Sequence, residues 1–280
     1  MQQRPFGTTR RPVALVGQGS WQIEQGNERE AIAALRAGLD LGMTHIDTAE
    51  MYGDGASERV IAEAISGRRE QVFLVSKVLP SNATKAGTIK ACERSLANLG
   101  TDHLDVYLLH WPSRHPLADT IAGFEQLRRD GKILAWGLSN FDADGLEEAT
   151  ALGGLPACNQ VLYHVGERAI EHAVLPWCEA HGVALVAYTP FGQSAAYYDA
   201  GSAQGRVLHA IAARHGATAR QVALAWLLRT PGVFVIPKAA RAAHVADNAR
   251  AADLVLDAAD IAAIDAAFPL KARPMHLPTV

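Results

Sequence analysis

At 280 residues, with 49% hydrophobic and 20% charged side chains, the chain is large enough for one α/β barrel, a class that commonly reaches about 250 residues without dividing. Its 26 Lys and Arg against 29 Asp and Glu include no long run of either sign, which argues against a nucleic-acid groove or a membrane-surface patch and leaves a small molecule as the expected partner. No apolar run approaches the roughly 20 residues that span a bilayer, and the N-terminal MQQRPFGTTRRPVALVGQGSW carries basic residues without a signal peptide's apolar stretch, so the cytoplasm is the expected location.

Short β-branched or aliphatic runs alternate with longer segments of helical period, the pattern of βαβ units around a parallel sheet. Strands are expected at Ala14–Val16, Thr44–Asp47, Val72–Val78, Leu104–Leu109, Ala135–Ser139, Cys158–Val161, Ala184–Tyr188 and Val233–Pro237. Within Thr88–Leu99, the residues Ile89, Cys92, Leu96 and Leu99 recur along one helical face and leave Glu93 and Arg94 toward solvent. Cys92, Cys158 and Cys178 fall in no CxxC or zinc-ligand spacing, and are expected to be reduced, buried and small-hydrophobe-like. Phe191–Gly205, rich in Gly, Ser, Ala and Tyr, is the one long irregular segment, of a length that often serves as a lid. Thr218 with Gln221 has the form of a capping box opening Val222–Leu228, and Asp257 with Asp260 opens a short terminal helix through Ile261 and Ile264. Trp136, Trp177 and Trp226 lie inside elements and read as core. No linker divides the chain, so 1–280 is expected to form a single (β/α)8 TIM barrel, with an extra helix after strand seven and a short C-terminal helix and tail.

The ends of these strands carry the chemical signal. Asp47 ends strand two, Lys77 strand three, His110 strand four, Ser139 and Asn140 strand five; Gln160 lies on strand six, Tyr188 and Thr189 end strand seven, and Lys238 follows strand eight. In a parallel barrel these ends converge on one mouth, where such barrels hold their active sites. Asp47 alone could cap a helix and His110 alone could be a core histidine, but packing does not require so many polar groups at successive strand ends.

A tyrosine, with a reference pKa of about 10, is a weak acid unless a cation stabilises its phenolate. Lys77 can supply that cation, Asp47 can keep it an ammonium ion, and His110 can donate to an oxygen on which charge develops. Tyr52, five residues past Asp47, is the natural proton donor. Such a set protonates an alkoxide as it forms, which hydride transfer to a carbonyl requires.

The segments HIDTAEMYGDGASE, LVSKV, LDVYLLHWP, GLSNF, NQVLYH, AYTPF and IPKA followed by HVADN occur in this order from about Val13 to Phe268. In them the chain resembles the aldo-keto reductases, and within these the bacterial branch of methylglyoxal and 2,5-diketo-gluconate reductases. The resemblance implies Tyr52 as proton donor, with Asp47, Lys77 and His110 completing the catalytic set. It further implies that Ser139, Asn140 and Gln160 hold the nicotinamide carboxamide and that Tyr188 stacks on the ring. Gly19, the Thr189–Pro190–Phe191–Gln193 turn, Lys238 and Ala239 would meet the rest of the cofactor, with His244, Asp247 and Asn248 toward the adenosine. Trp21, Met51 and Trp111 would line the substrate pocket.

NADPH is the implied cofactor and NADH the alternative. Members of the family that prefer NADPH usually carry Ser and Arg where this chain has Ala239 and His244, so the expected preference is modest. The expected product is an alcohol from a small aldehyde or ketone, and the expected state a monomer. Three rival readings differ in chemistry: a Schiff-base barrel aldolase using Lys77, a cofactor-binding regulatory subunit with negligible turnover, and a metal-dependent hydrolase. The last lacks any HExxH, and no metal site is expected. Nor does Gly17-Gln18-Gly19 complete a GxGxxG fingerprint, so a Rossmann-type half is not expected.

Overall fold

The computed structural model describes residues 1–280. A small antiparallel hairpin, β1 (Gln3–Pro5) with β2 (Pro12–Ala14), opens the chain. Its turn drives Phe6 to full burial against the rings of His45, Phe73 and Phe234, so the hairpin forms an apolar floor. Gly7, at φ +47°, admits no side chain there, because a Cβ would stand 1.9 Å from the Ala157 carbonyl oxygen.

Eight parallel strands follow in sequential order: β3 (Gln18–Gly19), β4 (His45–Asp47), β5 (Phe73–Val78), β6 (Leu104–Leu109), β7 (Ile133–Ser139), β8 (Cys158–Leu162), β9 (Ala184–Tyr188) and β10 (Val233–Val235). Parallel pairings of Val16 with Val235 and of Gly19 with Lys238 join the first strand to the last and close the barrel. The expected first strand at Ala14–Val16 is corrected by this arrangement. Ala14 belongs to the floor hairpin, while Val16 pairs with Val235 and the regular barrel strand starts only at Gln18. A buried apolar run such as Val13–Val16 fits either partner, and periodicity alone cannot choose between them.

The helices surround this sheet: α1 (Glu28–Asp40), α2 (Ala56–Ala64), α3 (Lys85–Leu99), α4 (Leu117–Arg129), α5 (Ala143–Gly153), α6 (Val174–His181), α7 (Ala203–His215), α8 (Ala219–Leu227), α9 (Ala242–Arg250) and α10 (Ala258–Ala267). Many start where their caps predict. Asn27, Thr84, Asp142 and Ser202 each accept from a backbone N–H of the first turn, and Thr218/Gln221 and Asp257/Asp260 form both expected capping boxes. Ser202 shortens the irregular segment expected through Gly205: its hydroxyl caps α7, and a 3-10 turn at Ala195–Tyr198 orders the middle. Helices α7 and α8 both lie between β9 and β10, and α10 leads into the C-terminal tail.

Trp136, Trp177 and Trp226 are buried, as are the three unpaired cysteines. Burial pushes the thiols of Cys92 and Cys178 up to about 12, which keeps them inert. No helix is long and apolar enough to cross a membrane.

Candidate active site

The C-terminal ends of the strands meet at one mouth. Asp47 closes β4, and Lys77 sits one residue before the end of β5, its side chain wholly buried. Lys77 Nζ donates to Asp47 Oδ1 at 2.5 Å and to the Thr48 carbonyl at 2.8 Å, and it stands 3.4 Å from the Tyr52 hydroxyl. The other carboxylate oxygen is also engaged, since Gln160 Nε2 on β8 donates to Asp47 Oδ2 at 2.7 Å. An ion pair taken out of water is stable only when its remaining polar atoms are satisfied, and here Gln160 and Thr48 meet that requirement.

Tyr52 leaves β4 on a tight turn. Its N–H donates to the Ala49 carbonyl, and Gly53, Asp54 and Gly55 then take left-handed conformations in succession. Burial raises the phenol's pKa and outweighs the lowering by Lys77, so the group stays protonated at neutral pH. Burial pulls the Lys77 ammonium down, but the Asp47 charge and the hydrogen bonds to Asp47 and Tyr52 prevail and its pKa is raised. The pair therefore presents a neutral phenol backed by a fixed cation. This refines the expectation from sequence: Lys77 restrains the rise of the Tyr52 pKa without reversing it.

His110 directly follows β6, with its ring 5.8 Å edge-to-face from Tyr52 and 4.8 Å from Trp111. Burial first, and Lys77 second, depress its pKa to about 2, so the imidazole is neutral at any working pH. A neutral imidazole donates from one nitrogen only, and Nδ1 is buried with no partner within the chain.

The next strand ends form a linked polar wall. Ser139 Oγ donates to the Gln160 carbonyl at 2.9 Å, Asn140 Nδ2 to the His110 carbonyl at 3.0 Å, and the Tyr188 hydroxyl to Asn140 Oδ1 at 2.9 Å. Asn140 and Thr189 hold φ of +63° and +48°. Such a conformation is strained for a β-branched residue like Thr189, and strain of this kind collects at functional sites.

These residues border a cavity of about 340 Å³. Gly19, Trp21, Met51 and Trp111 line it with Asp47, Tyr52 and His110; Ser139, Asn140, Gln160 and Tyr188 continue the wall. Thr189, Pro190, Phe191, Gln193 and Lys238 complete it. Lys77 lies beneath, reaching the site through Tyr52 and Asp47. Ala239, His244, Asp247 and Asn248 do not line the cavity. His244 is exposed on α9, Asn248 is buried, and the Asp247 carboxylate accepts from Thr218 Oγ1 at 3.2 Å and Gln221 Nε2 at 2.8 Å, tying α9 to the start of α8.

Three lining residues were not found from sequence: Ser20, Ile236 and Val280. Ser20 adjoins Gly19 and Trp21 and Ile236 precedes Lys238 by two residues, whereas Val280 reaches the mouth by a return of the tail that no local pattern signals. Gly19 also serves the barrel itself, because a Cβ there would stand 2.6 Å from the Ile236 carbonyl oxygen where the first and last strands meet.

The lining suits a ligand that carries both a reactive group and an anionic group. It holds a protonated phenol and a neutral imidazole, and also Lys238, which makes no ion pair within the chain. Tyr188 and Phe191 add aromatic rings to it. A nicotinamide dinucleotide fits this distribution of groups.

The model of the aldo/keto reductase family matches residues 15–268. The chain is 47% identical over 261 residues to methylglyoxal reductase YeaE of Escherichia coli, with 92% of each chain covered. It is 34% identical to glyoxal reductase of Bacillus subtilis, over 89% of this chain and 87% of that protein. A solved aldo-keto reductase from Klebsiella pneumoniae in complex with NADPH superposes with a TM-score of 0.92 at 42% identity, covering 100% of this chain and 99% of that one. The closed eight-stranded barrel, the polar strand ends and a family match over nearly the whole length make one case: the chain belongs to the aldo/keto reductase family and is a nicotinamide-dependent oxidoreductase that reduces carbonyl groups.

Proposed function

We propose that the chain reduces small activated carbonyls, 2-oxoaldehydes of the methylglyoxal type foremost, to alcohols with NADPH, and that Tyr52, Lys77, Asp47 and His110 carry out the proton chemistry. The observation that carries this reading is the contact series Asp47–Lys77–Tyr52 beside a neutral His110 at one mouth.

A bound NADPH would supply the hydride. Tyr52 gives its hydroxyl proton to the carbonyl oxygen as negative charge gathers there, and the electron pair of the broken O–H bond remains on the phenolate, faced by the Lys77 ammonium. His110 donates a hydrogen bond to the same oxygen. Asp47 keeps Lys77 charged and oriented. Ser139, Asn140 and Gln160 would hold the carboxamide and Tyr188 would stack on the nicotinamide, while Gly19, the Thr189–Gln193 turn and Lys238 would meet the phosphates. Ala239, His244, Asp247 and Asn248, outside the cavity, would stand toward the adenosine.

The NADPH held by the Klebsiella relative supports the choice of cofactor. The similarity to a methylglyoxal reductase and to a glyoxal reductase supports the substrate class. Trp21, Met51 and Trp111 are 46%, 41% and 37% exposed, an open apolar rim that gives a large substrate little remote binding energy. Unpaired, buried thiols suit a reducing compartment, and we read the protein as a cytoplasmic monomer.

The aldolase reading is disfavoured, because a Schiff-base lysine must shed its proton and Lys77 is held charged by Asp47. NADPH oxidation across small aldehydes, dicarbonyls, keto-sugars and a steroid ketone tests the proposal. Methylglyoxal should lead in kcat/KM; a steroid ketone turned over more efficiently than every small carbonyl would refute the substrate class, and negligible turnover of all would favour the regulatory subunit.

A further inference from the structure

Arg220 is the second residue of α8 and is exposed, yet its guanidinium is not loose. Its Cζ stands 4.8 Å from the centroid of Phe191 and 4.9 Å from that of Tyr198. The two rings meet edge-on, 5.9 Å apart. Cation–π contact of this kind restrains a guanidinium and leaves its N–H donors unspent. Indeed Arg220 makes no salt bridge, and the Asp247 carboxylate, on α9 against the start of α8, is already turned onto Thr218 and Gln221.

Phe191, the ring that holds Arg220 on one side, is itself a wall of the active-site cavity, together with Lys238. Two cations without salt-bridge partners thus adjoin this wall, Lys238 in the cavity lining and Arg220 against the Phe191 ring. The bonds from Thr218 and Gln221 to Asp247 bring the first turn of α8 against α9, the helix that carries His244. In the family, an arginine at the position of His244 accompanies NADPH preference; here the arginine stands across the α8–α9 contact instead.

We infer that Arg220 is a specificity-determining residue for the cofactor, and that with Lys238 it grips the 2′-phosphate of NADPH. The inference rests on the NADPH reading above and adds a residue to it from α8. Arginine presents a planar fork that binds a phosphate through two parallel N–H donors, which a lone lysine cannot do. The two ring contacts hold that fork before the ligand arrives. A strong preference for NADPH over NADH therefore replaces the modest one expected from His244 and Ala239 alone.

The test is equilibrium binding to the full chain, read by intrinsic fluorescence and calorimetry, with NADPH, NADH, 2′-AMP and 5′-AMP as probes. Arg220→Met keeps an unbranched stem and removes the charge. It should weaken NADPH and 2′-AMP by about 10–100-fold, the loss expected for hydrogen bonds to a charged group, and leave NADH and 5′-AMP within about twofold. Arg220→Lys, which keeps the charge and loses the fork, should show a smaller loss in the same direction. Added salt should weaken NADPH binding more steeply in the parent than in Arg220→Met. Equal weakening of NADPH and NADH would overturn the inference, placing Arg220 on the pyrophosphate or in loop packing, and so would no change in either. A parent chain that binds no NADPH would overturn the functional reading itself, and with it this inference; equal losses in a parent that does bind NADPH overturn only the assignment of Arg220.

Discussion

Gln160 Nε2 lies 2.7 Å from Asp47 Oδ2, so the side chain proposed to hold the nicotinamide carboxamide also fixes the carboxylate that keeps Lys77 charged. Cofactor placement and acid strength thus share one residue. Replacing Gln160 by Leu leaves Asp47 Oδ2 buried without a donor, which weakens its hold on Lys77. Turnover at saturating NADPH should fall by about tenfold or more, in addition to any loss of cofactor affinity. Unchanged kcat at saturation would mean that the bond does not bear on the proton donor.

The proton donor itself is tested with little change of volume. Tyr52→Phe removes the hydroxyl 3.4 Å from Lys77 Nζ and should reduce kcat by roughly 10²–10⁴-fold while NADPH affinity survives. Near-normal turnover, measured as NADPH oxidation with methylglyoxal, would exclude the assignment.

Most of this set is legible in the sequence because a parallel barrel brings every C-terminal strand end to one mouth, so Asp47, Lys77, His110, Ser139, Asn140, Gln160 and Tyr188 could be read from position alone. What could not be read depends on contacts between segments distant in sequence. Val16 pairs with Val235 and Ala14 with Gln3, and nothing within Val13–Val16 distinguishes the two partners. Val280 reaches the mouth only through the path of the tail. Arg220 sits in an apolar helix whose pattern gives its exposed position no meaning until Phe191 and Tyr198 are seen on either side of it.

The Asp47–Lys77 pair separates stability from catalysis. Lys77→Met removes the cation that faces Asp47 in a dry site and should destabilise the fold by about 3–5 kcal/mol, the range for a broken buried pair. The double variant Asp47→Asn with Lys77→Met removes both charges, keeps an acceptor for Gln160, and should recover much of that stability while staying inactive. Chemical denaturation and turnover on the same samples check this. If the double variant is no more stable than the single one, the pair is not the source of the loss.

The last prediction concerns acid. Burial depresses His45 and His164 to about 4 and His110 to about 2, whereas each titrates near 6.5 in an unfolded chain. As pH falls below 6.5 the unfolded state takes up protons that the folded state refuses, so stability is lost from about 6.5 down to each folded value and levels off below it. The slope for one such histidine approaches 1.4 kcal/mol per pH unit at most. For His45, wholly buried beside Phe6 and Phe73, the loss at pH 5 is on the order of 2 kcal/mol. Carboxylates of an unfolded chain protonate only around pH 4, so the interval from pH 6.5 to 5 reports mainly on these histidines. His45→Phe keeps an aromatic ring in the cluster and removes the titration. Whatever the substitution does to stability at pH 7.5, the further loss between pH 7.5 and pH 5 should be smaller than in the parent by about that amount. Denaturation curves of both proteins at the two pH values measure the difference, and equal losses would show that His45 is not held neutral by the fold.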